Sequence, residues 1–319
     1  MVGWVVSCGG DRDTTAPTDT ASPTTSISTC VDDPERLNLA WPLAGVDAQD
    51  WVTVQYVDLD ETQGKLDYTG NTSTAAKTYD GHHGVDIGLS SFRRMDEGIE
   101  VLAAASGVVE YVVDGFEDRH TACVNYDANM VGVRHASGHL LHYVHLRTNS
   151  VVVEPGQAVV AGDVLGQVGS SGCSDGPHLH FEISDPSGAV IDPFLDGLWC
   201  DPPVYDTPMT FMEGWLLAGP AESYDNPLQD PPTEVSHMAT GQTLLAYAIV
   251  GGGLPGESIG VQLVGPGGET LGPWPITFDQ SWQLTGWTWA FTLQPPAGTW
   301  TVDYLVNDLP VAHKELEVE

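Results

Sequence analysis

Pro177-His178-Leu179-His180-Phe181-Glu182 decides how the larger part of the chain is read. Side chains on a strand alternate faces, so His178, His180 and Glu182 share one face while Leu179 and Phe181 share the other. That pattern describes a strand with its apolar side in a core and two imidazoles side by side on its polar side. An H-x-H pair alone is more often a polar strand face than a metal site. Two further clusters stand upstream, Asp80-Gly81-His82-His83-Gly84-Val85-Asp86-Ile87-Gly88 and His142-Tyr143-Val144-His145-Leu146. His82, Asp86 and His180 make a nitrogen, oxygen, nitrogen set. Three such ligands, with water in a fourth position, are what a catalytic zinc ion requires. His145 and His178 remain for proton transfer, since an imidazole titrates near working pH.

With these clusters in this order, the chain resembles the lysostaphin-type zinc endopeptidases. The motifs that carry the resemblance are His82-x-Gly84-x-Asp86, Tyr143-x-His145-Leu146 and Gly176-Pro177-His178-Leu179-His180-Phe181-Glu182. The stretches between them are similar too: Val101 to Val109, Val153 to Val159, Gly162 to Gly166, Val168 to Gly172, and the exit Val190-Ile191-Asp192-Pro193-Phe194. The resemblance covers Tyr79 to Phe194, 116 of 319 residues. It implies one Zn2+ per chain held by His82, Asp86 and His180, with His145 and His178 as catalytic residues. It also implies hydrolysis of peptide bonds in peptidoglycan stems or cross-bridges. No H-E-x-x-H motif supplies a glutamate base, so the resemblance gives that role to His145 and His178 without saying which does which. The family spacing, a Gly two residues and an Asp four residues after the first ligand, selects His82 over His83.

Glu182 is either an acceptor for a ligand N–H or a surface residue. His135, His139 and His142 read as ordinary strand or turn residues, and His120, His237 and His313 carry no pattern. The alternative function is a non-catalytic relative that binds wall peptides or activates an amidase. Such relatives usually lack a ligand, whereas all five residues are present here. A zinc peptidase acting on other proteins shares the site but not the substrate.

Composition excludes several classes. Lys plus Arg number 10 against 44 Asp plus Glu, a formal net charge of −34. Nucleic-acid binding needs phosphate neutralisation, so no nucleic-acid partner is expected; a polybasic membrane contact is excluded on the same ground. Recognition of an anionic cell wall would have to rest on short-range contacts. No apolar run approaches the ~20 residues of a membrane helix. Val5-Val6-Ser7-Cys8 resembles the bacterial lipoprotein processing box, though the apolar stretch is short and no Lys or Arg precedes it. Residues 9–29 hold ten Ser or Thr and almost nothing apolar, the composition of a tether. The expectation is therefore a lipid anchor at Cys8 and a place in the bacterial cell envelope, or secretion. Four cysteines remain in a chain read as exported. Cys30–Cys200 is the favoured bridge, because the two bracket the peptidase region and domain ends often lie close together. That leaves Cys123–Cys173.

The fold expected is mostly β. Short β-rich runs at Val52–Val57, Gly107–Val113, Val131–His135, Leu140–Leu146, Val164–Val168 and Leu179–Ile183 are separated by Gly, Pro, Asp or Ser. They predict an antiparallel β-sheet peptidase domain with long loops, Asp60–Ala76 and Phe92–Gly98 among them. Residues 1–30 read as a truncated lipoprotein-like N-terminus and Ser/Thr/Pro linker, 31–200 as the peptidase domain and 201–232 as a Pro-rich connector. Residues 233–319 read as an Ig-like β-sandwich of about seven strands. In it Trp287, Trp289, Phe291 and Leu293 alternate with smaller residues, as do Trp300, Val302, Tyr304 and Val306. Tryptophans on an alternating face belong to a core. This domain is a spacer or scaffold, or a wall- or protein-binding module.

Overall fold

In the computed structural model the H-x-H run lies within a seven-residue strand, His178–Ser184, whose residues alternate between half-buried and buried along its whole length. The structure describes residue 30 and residues 33–73, 77–121, 127–219, 233–292 and 296–319. These residues divide into two compact units: one holds the described residues up to Asp47 together with Trp51–Val204, and the other holds Tyr205–Glu319 together with Ala48–Asp50.

The first unit is built on strands β1 (Val52–Gln55), β2 (Gly84–Gly88), β3 (Glu100–Leu102), β4 (Gly107–Val113), β5 (Met130–Arg134), β6 (Leu140–Val144), β7 (Ala158–Val159), β8 (Val164–Gln167) and β9 (His178–Ser184). Seven of them form one antiparallel sheet in the order β1-β2-β9-β6-β5-β4-β7, and β3 pairs with β8 in a second, small sheet. One face of the large sheet is apolar and closed. Val85 and Ile87 of β2, Val131 and Val133 of β5, Leu141 and Tyr143 of β6, and Leu179, Phe181 and Ile183 of β9 are all buried in one cluster. The opposite face carries Asp86 of β2 and His178, His180 and Glu182 of β9. A one-residue slip in any of these strands would exchange the two faces, so the core fixes the register.

One detail differs from the sequence reading. Phe92–Glu97 is not loop but a helix, α1, whose first turn is closed by the Ser91 hydroxyl accepting from the Arg94 N–H at 3.2 Å. Its buried residues, Phe92 and Met95, are three apart, and Gly98 ends it with a positive φ of 87°. Cys30 and Cys200 are joined with Cα atoms 5.5 Å apart, beside the pairing of Leu39 with Trp199. Cys173 is disulfide-bonded; Cys123, the partner expected for it, lies outside the described residues, as does Cys8 with its expected anchor.

The second unit begins earlier than expected. The connector read over 201–232 contains a nine-residue strand, β10 (Thr210–Ala218), paired along its length with β12 (Thr243–Gly251). Residues 220–232 lie outside the described residues. With β11 (His237–Met238), β13 (Ser258–Val264), β14 (Thr270–Thr277), β15 (Leu284–Thr292), β16 (Gly298–Val306) and β17 (Leu309–Val318), the unit has eight described strands in two sheets, β10-β12-β15 and β11-β17-β16-β13-β14. The chain crosses between the two sheets repeatedly, while β13–β14 and β16–β17 pair within one sheet, as two packed sheets of a β-sandwich do. Trp289, Phe291, Trp300, Val302 and Tyr304 fill the core between them. The indole N–H groups of Trp289 and Trp300 donate to the carbonyls of Trp274 and Pro296, each at 3.0 Å. These tryptophans are core residues.

Candidate metal centre

The centre grows from the pairing of β2 with β9. Asp86 stands directly opposite His180, Gly84 opposite Glu182 and Gly88 opposite His178. Direct cross-strand neighbours have Cβ atoms about 5 Å apart, close enough for their side chains to meet. His180 Nδ1 lies 2.9 Å from Asp86 Oδ1. His82 enters from the segment just before β2 and is buried, whereas His83 is exposed. Its Nδ1–H donates to the Tyr56 carbonyl at 2.8 Å, which turns Nε2 inward, 3.1 Å from Asp86 Oδ1 and 3.2 Å from His180 Nδ1. Gly84 makes room for this: a Cβ there would sit 2.6 Å from the His180 ring. The glycine two residues after the first ligand is thus a steric requirement.

The donor set fits a metal. Three basic atoms form a triangle with edges of 2.9, 3.1 and 3.2 Å. Tetrahedral zinc with bonds of about 2.0–2.1 Å spaces its ligand atoms about 3.3 Å apart, a difference of a few tenths of an ångström. His82 Nε2 and Asp86 Oδ1 face each other as acceptors, an arrangement that calls for a proton or a cation between them. Each of the two imidazoles has a second partner that fixes its orientation: the Tyr56 carbonyl for His82 and, at a long 3.5 Å, Glu182 for His180 Nε2. Tyr79, half exposed, stacks on His82 with ring centroids 4.5 Å apart.

His145 and His178 arrive from different directions. His178 shares the face of His180, its Nδ1–H donating to the Gly176 carbonyl at 2.9 Å and its Nε2 standing 3.7 Å from Asp86 Oδ1. His145 follows β6 directly, and strand alternation would send it to the apolar face with Leu141 and Tyr143. Instead its φ is +64°, a left-handed conformation that costs a non-glycine residue on the order of 1–3 kcal/mol. The turn swings its ring to the site, 4.6 Å from the His178 ring centroid and 6.1 Å from that of His180. Its Nδ1–H donates to the Ser171 carbonyl at 2.6 Å. Both imidazoles therefore keep Nε2 as the basic nitrogen.

The electrostatics follow from burial and crowding. Burial pushes the Asp86 carboxyl up, but His178, His180 and His82 outweigh it and hold it well below the ordinary carboxylate range. Burial opposes charge on His180, yet its hydrogen bonds to Asp86 and Glu182 hold it up at about 9. His145 is pushed down to about 3, first by burial and then by the neighbouring His178, so it is neutral at pH 7. Burial, with Asp86 and Asp175, pushes the Tyr79 hydroxyl up to about 12.

Residues 80–193 match the family model described as Peptidase family M23. Over that stretch the chain is similar to peptidase family M23. Within it, the peptidoglycan DD-endopeptidase ShyC of Vibrio cholerae serotype O1 is 32% identical over 86 residues, 27% of this chain and 17% of that protein. The DD-carboxypeptidase/endopeptidase Mpg of Neisseria meningitidis serogroup B is 36% identical over 101 residues, 32% of this chain and 19% of that protein. Among solved structures, the catalytic domain of the antimicrobial peptidase lysostaphin from Staphylococcus simulans has 28% identity and a TM-score of 0.28, covering 36% of this chain and 80% of that one. The matched stretch is thus less than a fifth of the length of either curated relative.

The first unit brings His82, Asp86, His145, His178 and His180 together. His135 and His139 meet at Ser137 in a turn, and His142 is hydrogen-bonded to Tyr111 at 2.6 Å. The sequence reading missed the parts that orient the imidazoles. The carbonyls of Tyr56, Ser171 and Gly176 act through backbone, which carries no residue-type signal. The left-handed turn at His145 has none either.

Proposed function

We propose that this chain is a zinc-dependent endopeptidase that hydrolyses peptide bonds of peptidoglycan, in stem peptides or cross-bridges. One observation carries the reading: three basic atoms of His82, Asp86 and His180 converge within 3.2 Å of one another, with two oriented imidazoles beside them. The names of the M23 relatives ShyC and Mpg support peptidoglycan as the substrate. An envelope-bound or secreted protein, anchored through Cys8 in the first case, is the location that goes with it.

Zinc, when bound, supplies the Lewis acidity that polarises the scissile carbonyl and makes water a better acid. The protein's residues do the rest. Tyr56 and Glu182 orient the ligand imidazoles. His145 and His178, anchored at Nδ1 on backbone carbonyls, present Nε2 toward the reacting groups. One of them accepts the proton of the attacking water. The resulting imidazolium then protonates the leaving amine or hydrogen-bonds the developing oxyanion.

Two substitutions test the division of labour. His82→Ala loses zinc and activity together. His178→Ala keeps zinc and loses turnover. Elemental analysis alongside release of new amino groups from purified peptidoglycan reads both, and full activity in either variant overturns the reading.

A further inference from the structure

We propose that Asn129 and Ser171, a buried polar pair, are positioning residues that hold His145 in its left-handed turn and so keep its imidazole in the site; the inference rests on the hydrolytic reading above. Both are 0% exposed. Successive groups around the turn are fixed. The His145 carbonyl accepts from the Gly169 N–H at 3.0 Å, and the next N–H, that of Leu146, donates to the Asn129 carbonyl at 3.1 Å. The Leu146 carbonyl accepts twice, from Asn129 Nδ2 at 3.0 Å and from the Ser171 hydroxyl at 2.7 Å. The Asn129 N–H donates to Ser171 Oγ at 3.0 Å and closes the pair. The Asn129 amide also exchanges two 2.8 Å bonds with the Phe116 backbone. Ser171 further presents the carbonyl that accepts from His145 Nδ1 at 2.6 Å.

A non-glycine residue stays in a sparsely populated conformation only where its surroundings over-determine it. This ring of hydrogen bonds is that over-determination. Without it, the alternation of β6 would carry residue 145 toward the apolar face. Gly169 extends the same device to the second imidazole, because its carbonyl accepts the His178 N–H at 3.2 Å. A Cβ at Gly169 would collide with the Arg147 backbone, so the turn carrying Ser171 is seated directly on the chain leaving His145.

The test uses the zinc-loaded full chain as wild type, as Ser171→Ala and as Val133→Ala, the last a loss of core packing at a side chain 0% exposed. Readouts are kcat and KM on a purified muropeptide dimer, bound zinc, melting temperature and a crystal structure of Ser171→Ala. Ser171→Ala is expected to lower kcat about 10- to 100-fold, the size typical of partners that orient a functional group, with KM and zinc unchanged. Val133→Ala is expected to lower the melting temperature and keep kcat. The crystal structure should show His145 out of the left-handed region. Ser171→Ala with wild-type kcat, or with kcat lost only in step with zinc, overturns the proposal. A wild type without peptidase activity sinks the hydrolytic reading instead. His145 still at positive φ beside His178 in the variant sinks the positioning role whatever the activity.

Discussion

Gly84 shows how a single residue without a side chain shapes the chemistry. It faces Glu182 across β9 and leaves the space that the His180 ring fills. Gly84→Ala would place a methyl 2.6 Å from that ring and 2.9 Å from the Phe181 carbonyl. The ring must turn, and the triangle of ligand atoms opens. Zinc affinity is expected to fall about 10- to 100-fold with the β circular-dichroism spectrum retained; competition titration against a chromophoric chelator measures it, and unchanged affinity would refute the steric argument. At this scale most of the site was legible. Imidazoles and carboxylates at fixed spacing are rare and chemically specific, so His82, Asp86 and His180 stand out in the sequence. His145 is legible as a residue but not as a conformation, because its turn is set by Asn129, Gly169 and Ser171 from other parts of the chain.

The elements explain which parts of the pattern could be read. The expected runs match β4 to the residue and β9 to within one at each end; in β9 burial alternates with period two along the whole strand. α1 was not, because six residues with two buried positions are too few for a helical period to register. β10 was read as connector because Trp215, Leu216 and Leu217 are all buried, on both faces of the strand, which erases alternation. The loop leaving β9 yields a pH prediction. Asp192 accepts from the Phe194 and Leu195 N–H groups through Oδ1, while Oδ2 is buried and has no partner among the described residues. Burial raises its pKa, and Asp196 and Asp67 add to that, against the two N–H groups that lower it. A carboxyl raised in the folded state favours folding when protonated, and that contribution is lost as pH rises from about 3.9 through the folded value. Asp192→Asn is therefore expected to gain more melting temperature relative to wild type at pH 7 than at pH 4. An equal or smaller gain at pH 7 would contradict the sign.

At the scale of the whole molecule, two β units share a chain of net charge −34. Pro and Asp around β10 mask a strand that pairs along its length with β12. The ends of the first unit are tied by Cys30–Cys200, 170 residues apart. A bridge closing so long a loop restricts the unfolded chain strongly, and breaking a native one typically costs about 2–5 kcal/mol. Cys30→Ser with Cys200→Ser should lower the unfolding free energy of the first unit by that amount in a denaturant titration, and an unchanged midpoint would show that the bridge contributes nothing. The account as a whole stands on the convergence of His82, Asp86 and His180 on a metal that drives peptide hydrolysis. Release of new amino groups from purified peptidoglycan, followed before chelation, in excess chelator and after zinc is restored, tests it most directly. The account predicts activity that disappears with the metal and returns with it; undiminished release in excess chelator would contradict it.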